Sequence, residues 1–383
     1  MRPMAEVRID LDQLAGNIRL VRQNLPQGVK ILFAVKRDAY GHGLIELSQR
    51  ARDEGVEWLG VADLLEVEKL RRAGVELPVL IMGLSRAEDV AVAIELRASL
   101  SIASLDFAAR LDQEAKAQGV PASVQVEIDT GLGRFGVFPD EALEFFVELQ
   151  KFSNLQVEGI FSHPAVADSQ DADDRVYTLG QIEKLNRVLA QLDEAGMLPP
   201  LRHFACAPCL INYPEETLRG YYNMVRIGAV LYGYPEAPAA GTWAEQITPI
   251  ATVTTRIIAL RQLPAGSYIS YNRTYRTDSV RQIAVIPLGF GSGLHRALSN
   301  RGEVVIGDKR APIVGRICMD HTMIDVTGLD AKIGDEVEVV GPRLTAEEQA
   351  AKAGVGANDI LTPLCRQVQR VYRFTPSRLA CSA

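Results

Sequence analysis

The chain has 383 residues, 47% of them hydrophobic and 23% charged, with a formal net charge of -7. This is the balance of a globular protein with a large core and room for two or three domains. The scattered basic residues argue against nucleic acid or an anionic membrane as a partner. No apolar run reaches membrane-spanning length, the first six residues lack a signal-peptide core, and five cysteines show no framework spacing, so a reducing cytoplasm is expected.

From residue 8 to 234 short apolar runs alternate with amphipathic helical stretches. The spacing predicts strands at 31–35, 58–62, 79–82, 100–103, 124–128, 157–161, 202–205 and 224–231. Helices are predicted at 63–73, where Leu64, Val67 and Leu70 keep helical spacing and Gly74 supplies a stop, and at 140–152 and 175–195. Eight strands without strong alternation are buried on both faces, which predicts an α/β fold whose N-terminal part is a (β/α)8 barrel. Pro235, Pro238 and Gly241 mark a linker-like stretch. Beyond it the pattern is mostly strand, at 250–258, 282–286, 303–306, 311–314, 323–326 and 336–340, with one helix at 345–353. The predicted division is a barrel over 8–234 and a C-terminal mostly β domain over 235–383, joined by residues 1–7.

Chemistry in such a barrel belongs at the C-terminal ends of the strands. Lys36 follows the first, within the string AVKRDAYGHG (34–43), and a glycine turn and a helical pattern from Leu44 come next. A lysine there can condense with an aldehyde cofactor while backbone donors hold its phosphate. An ordinary surface lysine before a loop is the plain alternative. Asp129 to Arg134 follow the fifth strand, Ser162 and His163 the sixth, Cys206 and Ala207 the seventh, and Arg226 lies in the eighth. Two arginines, a lysine and a histidine at one mouth suit an anionic ligand. Cys206-Ala207-Pro208-Cys209 is a lone C-x-x-C without the second pair of a zinc ribbon. Packing or pocket lining is favoured over a metal or disulfide role.

Together these strings resemble the alanine racemases, in order, from Val7-Arg8-Ile9-Asp10-Leu11 to Arg370-Val371-Tyr372. The resemblance implies pyridoxal 5'-phosphate (PLP) as cofactor and an amino acid as substrate. Lys36 matches the cofactor lysine and Tyr40 a residue near the phosphate. DTGLGR (129–134) resembles the family's DTGMGR-type segment, which implies a substrate-binding Arg134. VRIGA (225–229) resembles VRPGI, which implies that Arg226 faces the pyridine nitrogen and that the backbone of Gly228 and Ala229 meets the phosphate. Ser270-Tyr271 matches the catalytic tyrosine, and Cys318-Met319-Asp320 the CMD motif, which implies that Met319 and Asp320 contact the substrate carboxylate. Racemization needs a base on each face of Cα, so Lys36 and Tyr271 are the implied pair. In the family the tyrosine comes from the partner subunit, which implies a homodimer with shared sites. His163, linked to Arg226, is the implied source of help for the tyrosine.

The chain departs from the family pattern at four places. Arg37 stands where alanine is common, and Glu127 where many members carry a carbamylated lysine that holds the arginine; whether Glu127 replaces it stays open. HFACA (203–207) replaces H-x-A-N-S, so Cys206 and Ala207 lack the amide and the phosphate-binding hydroxyl. GFGSG (289–293) replaces GYADG, so Phe290 and Ser292 alter the entrance. Interconversion of L- and D-alanine is the leading expectation, with racemization of serine or a broader range, or non-catalytic PLP binding, as alternatives. A metal-using PLP aldolase or dehydratase needs histidine and cysteine ligands near the C-terminus. The last histidine is His321 with no His-x-Cys after it, so no metal is expected.

Overall fold

The computed structural model describes residues 4–238 and 240–374. Among them the chain divides into two compact units: Ala15–Arg37 with Leu44–Ile247, and the described residues of Met1–Leu14, Asp38–Gly43 and Thr248–Ala383.

The first unit is the barrel. Its eight parallel strands are Lys30–Ala34, Trp58–Val61, Val79–Leu84, Ala98–Ile102, Ala122–Glu127, Leu155–Phe161, Leu201–His203 and Met224–Ile227, and the first pairs with the eighth. Between seventh and eighth the ring closes through Asn223 N–H to the Arg202 carbonyl (3.1 Å) and Arg226 N–H to that of Ala205 (2.9 Å). Leu32, Trp58, Leu80, Phe161, Leu201 and Met224 fill part of the interior, while the opposite faces of the same strands are covered too. Burial on both sides is why most of the strands show little polar alternation; Ala98–Ile102 and Ala122–Glu127 do alternate, yet their Ser99, Ser101, Gln125 and Glu127 are buried. Local chemistry sets the helix ends. Asp63 caps Leu64–Arg72 by accepting from the Glu66 amide. Ser104 caps Leu105–Gln118, which Gly119 ends in the left-handed region.

One predicted strand is too long. The run 224–231 is strand only to Ile227; Gly228 bends the chain (φ -136°, ψ -81°), and Ala229–Tyr232 is a buried helical turn. An apolar run buried in either conformation carries no periodic signal to separate them.

The second unit is mostly sheet. Its six-stranded sheet runs in the order Lys309–Pro312, Glu303–Ile306, Glu336–Val340, Ala251–Arg256, Ala5–Asp10, Gln369–Arg373. The N-terminal strand Ala5–Asp10 belongs here because it pairs antiparallel with Ala251–Arg256 and parallel with Gln369–Arg373. A three-stranded sheet joins Ala259–Leu263, Arg281–Ile286 and Thr322–Asp325, and a small hairpin pairs Tyr268–Ile269 with Tyr275–Arg276. Two helices follow, not the single one predicted: Ala346–Ala353, capped by Thr345, and Ala357–Gln367, which contains Pro363.

The turn after the first barrel strand is left-handed. Arg37, Asp38, Ala39 and Tyr40 have φ of 56°, 60°, 53° and 53°, and Gly41 continues at 84°. For side chains with a Cβ this costs roughly 1–2 kcal/mol per residue, so it persists only when held. Within the β unit Arg370 donates to Asp38 Oδ2 (2.5 Å) and to the Gly41 carbonyl (2.7 Å). The His42 ring lies 3.0 Å and 3.1 Å from the Ala39 and Tyr40 carbonyls, and Gly43 N–H reaches the Asp38 carbonyl. A Cβ on Gly41 would sit 2.6 Å from the Thr362 carbonyl oxygen, so glycine is required there.

Candidate active site

At the C-terminal ends of the barrel strands the structure gathers Lys36, Glu127, Arg134, His163 and Arg226, and the charges of Arg134 and Arg226 reach Lys36, Glu127 and His163. Burial, with the charges of Arg134 and Arg226 added and Glu236 opposing, holds the Lys36 amine below its ordinary value. A neutral amine is the form that attacks a carbonyl or takes up a proton.

Arg226 is the hub of the cluster and is 7% exposed. Its Nη1 donates to His203 Nδ1 (2.8 Å) and the His203 carbonyl, and its Nη2 to the Ser162 carbonyl (2.5 Å) and His163 Nδ1 (3.2 Å). The guanidinium also lies over the Phe161 ring, which stacks on His203. Burial pushes its pKa down to about 10, so it stays a cation at neutral pH. Both histidines therefore accept from it through Nδ1. His203 Nε2 donates in turn to Gln125 Oε1 (2.8 Å). Burial, then the Arg226 charge, keep both rings well below the ordinary histidine value, so they are neutral. His203 and Gln125 were not among the residues picked from sequence as site residues. The available signal was the polar face Ser123, Gln125 and Glu127 on a strand whose other face, Ala122, Val124 and Val126, is apolar.

The loop carrying Arg134 is tightly organised. Asp129 Oδ1 accepts from the amides of Gly131 and Gly133 (3.0 Å each), and Tyr177 donates to the Gly131 carbonyl (2.6 Å). Thr130 bonds Ser162 (2.8 Å). Arg134 Nη2 lies 3.8 Å from Glu127 Oε1, an ion-pair distance beyond a direct hydrogen bond. Glu127 is 2% exposed, and its Oε2 has no hydrogen-bond partner among the described residues. Burial raises the carboxyl pKa, against the pull of Arg226 and Arg134.

The residues expected near a phosphate lie on two turns. Among the described residues no side chain caps Ala207–Asn212, which opens after Cys206, or Ala229–Tyr232, which opens after Gly228. Arg37 is mostly exposed and pairs with Asp63 at 3.2 Å.

In the β unit Tyr271 sits at the tip of the Tyr268–Ile269/Tyr275–Arg276 hairpin, 63% exposed. Its neighbours are strained: Ser270 has φ 63° and ψ -174°, a region otherwise nearly confined to glycine, and Asn272 and Arg273 have φ of 61° and 52°. Ser270 is pinned by donating to the Arg316 carbonyl (2.5 Å), and a Cβ on Gly315 would lie 2.8 Å from the Ile269 carbonyl oxygen. The segments 289–293 and 318–320 are brought together, because Phe290 N–H donates to the Cys318 carbonyl (3.0 Å) and Gly291 N–H to that of Met319 (2.9 Å). A Cβ on Gly289 would come within 2.3 Å of both carbonyl oxygens, so the approach needs glycine. Met319 is 57% exposed, Asp320 is exposed, and Phe290 packs against the Arg296 guanidinium.

The neutral histidines predict how stability varies with pH. A histidine whose folded pKa is depressed is protonated only on unfolding between its folded value and its ordinary 6.5, so stability is complete above 6.5 and lost as pH falls below it. His42 is 1% exposed and its pKa is lowered by burial to about 4, so its share is lost between 6.5 and 4. His163 and His203 act in the same direction. Urea midpoints measured at pH 7 and pH 5 should fall on acidification, with more than one proton taken up on unfolding; equal midpoints would contradict buried neutral rings.

A parallel barrel with a half-buried amine among guanidinium groups at its strand ends defines a site for a small anionic molecule. A family model described as "Alanine racemase, N-terminal domain" matches residues 9–236, and one described as "Alanine racemase, C-terminal domain" matches 250–372. An alanine racemase from Clostridium tetani is 34% identical over 371 residues, 95% of this chain and 94% of that one. The solved alanine racemase of Clostridium difficile 630 superposes with a TM-score of 0.89 at 32% identity, over 97% of this chain and 96% of that one. That of Bartonella henselae, with covalently bound pyridoxal phosphate, shares the fold at 24% identity and a TM-score of 0.85, over 97% and 100% of the two chains. The chain belongs to the alanine racemase family. Among the described residues no helix is long and apolar enough to cross a membrane, and no cluster of three or more His, Cys, Asp or Glu side chains could hold a metal ion.

Proposed function

We propose that this protein interconverts L- and D-alanine, using PLP, in a homodimer whose sites combine Lys36 of one subunit with Tyr271 of the other. The observation that carries this reading is the half-buried Lys36 amine, held toward its neutral form at the strand end where the family motif wants the cofactor lysine.

The residues present fit PLP by the chemistry of their donors. Lys36 offers an amine for the aldehyde. Arg226 offers a guanidinium for the ring nitrogen, and the uncapped turns after Cys206 and Gly228 offer amides for the phosphate. When bound, PLP supplies an electron sink that makes the substrate Cα–H acidic. This chain's groups do the rest. Lys36 takes or returns the Cα proton on one face and Tyr271 on the other. Arg226 does not readily give up its proton, so a ring nitrogen held by it would stay unprotonated, which would weaken the sink and curb side reactions. His163 and His203 accept from Arg226 and fix its plane; being neutral, His163 adds no positive charge of its own. Arg134 offers its guanidinium to the substrate carboxylate. Purified protein supplied with PLP should bring either alanine enantiomer to an equal mixture. A PLP-loaded protein that racemizes serine and not alanine would move the assignment to the rival substrate.

Glu127 serves in this reading as a fixed anion for Arg134. Glu127→Gln keeps the shape and removes the charge facing Arg134 at 3.8 Å. An ion pair wider than a hydrogen bond, with Arg134 half-exposed, is worth about 1 kcal/mol, so activity should fall roughly 5-fold while PLP affinity changes little. Wild-type activity should be indifferent to added bicarbonate, and a Gln variant as active as wild type would remove Glu127 from the site.

A further inference from the structure

Cys206 and Cys209 take no part in the reading above, yet their sulfurs lie 3.6 Å apart at the same end of the barrel. Cys206 is half-buried and Cys209 fully buried, and both are free thiols. They flank the first turn of Ala207–Asn212, where Pro208 fixes the backbone and Cys209 N–H donates to the Cys206 carbonyl (3.1 Å). From the juxtaposed sulfurs, one reachable and one shielded, we infer that Cys206 and Cys209 are a site of reversible oxidation, closed to a disulfide by a peroxide.

Three features support a division of labour. The more accessible sulfur is that of Cys206, so an oxidant meets it first. The hydrogen bond from Cys209 holds the Cys206 thiol below its ordinary value, helped by the Cys209 amide and the Arg226 charge, while burial pushes Cys209 well above its own. The sulfurs need approach by only about 1.5 Å to reach the bond length of about 2.05 Å, a shift side-chain rotation and a small backbone adjustment can supply. The Cys206 thiolate attacks one peroxide oxygen, the O–O bond breaks, and the departing hydroxide takes a proton to leave as water. The sulfenic acid on Cys206 is then attacked by the Cys209 sulfur, which gives up its proton as the S–O bond breaks and a second water leaves. Two thiols and one peroxide thus give one disulfide and two waters. The bond would form beside the barrel closure, since the Ala205 carbonyl, one residue before Cys206, accepts the Arg226 amide.

The test is made on the PLP-loaded full chain, treated with hydrogen peroxide and then alkylated. Trypsin releases residues 203–219 as one peptide holding both cysteines and no other. That peptide should be found unalkylated and lighter by two hydrogens, and should return to two alkylated thiols after dithiothreitol. In Cys209→Ser, Cys206 should stop at the sulfenic acid and be trapped by dimedone; in Cys206→Ser no adduct should form on Cys209. Two alkylated thiols in peroxide-treated wild type, or a disulfide that pairs Cys206 with Cys318 or a second chain, would overturn the inference. The wild-type measurement stands if either serine variant fails to fold, and none of the readouts depends on racemization.

Discussion

Lys36→Ala should lose racemization by roughly 10³-fold or more while keeping its fold and most of its stability. The amine is the only group on its face of the substrate assigned to move a proton, and it is also the proposed point of attachment of the cofactor, so one substitution removes both proposed roles. The thermal midpoint should stay near wild type or rise. Lys36 is half-buried with Arg134, Arg226 and Arg37 around it, so its protonated form meets both desolvation and like charge, and losing it costs the fold little. A change that abolishes activity without lowering stability separates a chemical role from a packing one. Borohydride reduction of the wild-type, PLP-loaded protein, followed by peptide mapping, should place the label on Lys36. Lys30 is the instructive control: it begins the same strand and is exposed. A label on Lys30, or a Lys36→Ala protein that racemizes at near wild-type rate, would sink the assignment.

The barrel was readable from the sequence because its strands are short, mostly apolar and buried on both faces, and because Asp63 and Gly74 bound a clear helical pattern. The β unit was less so. Ala259–Leu263 carries Arg261 and Gln262, both exposed, so its apolar signal is thin. Gln369–Arg373 alternates exposed and half-buried residues and is held by pairing with a strand more than 350 residues earlier. Helix Ala357–Gln367 was hidden by Pro363, which sequence rules take for a breaker. The left-handed turn at Arg37 to Tyr40 had no local signal at all, since four residues with a Cβ adopt it only because Arg370, His42 and a close approach at Gly41 hold them. The site shows the same division. Individual charged residues at strand ends could be picked out, but the neutral state of His163 and the role of His203 follow from where the Arg226 donors point.

Tyr271→Phe should cost roughly 10²-fold or more in racemization and almost nothing in stability. The side chain is 63% exposed, so removing its oxygen strips the fold of little, and the hairpin that carries it is fixed by other residues. An aromatic ring displayed on backbone as strained as Ser270 and Asn272 is the arrangement that folding alone would not favour, which points to a task for the ring. With Lys36 intact, exchange of the Cα proton in heavy water should become one-sided, persisting for one alanine enantiomer and nearly lost for the other. The proposed sharing of sites adds a sharper result. Neither Lys36→Ala nor Tyr271→Phe should be active alone, but mixed and allowed to exchange subunits they should regain activity. A mixed dimer then holds one site with an intact lysine from one chain and an intact tyrosine from the other. No recovery, in mixtures shown to have exchanged subunits, would mean that Lys36 and Tyr271 of the same chain work together.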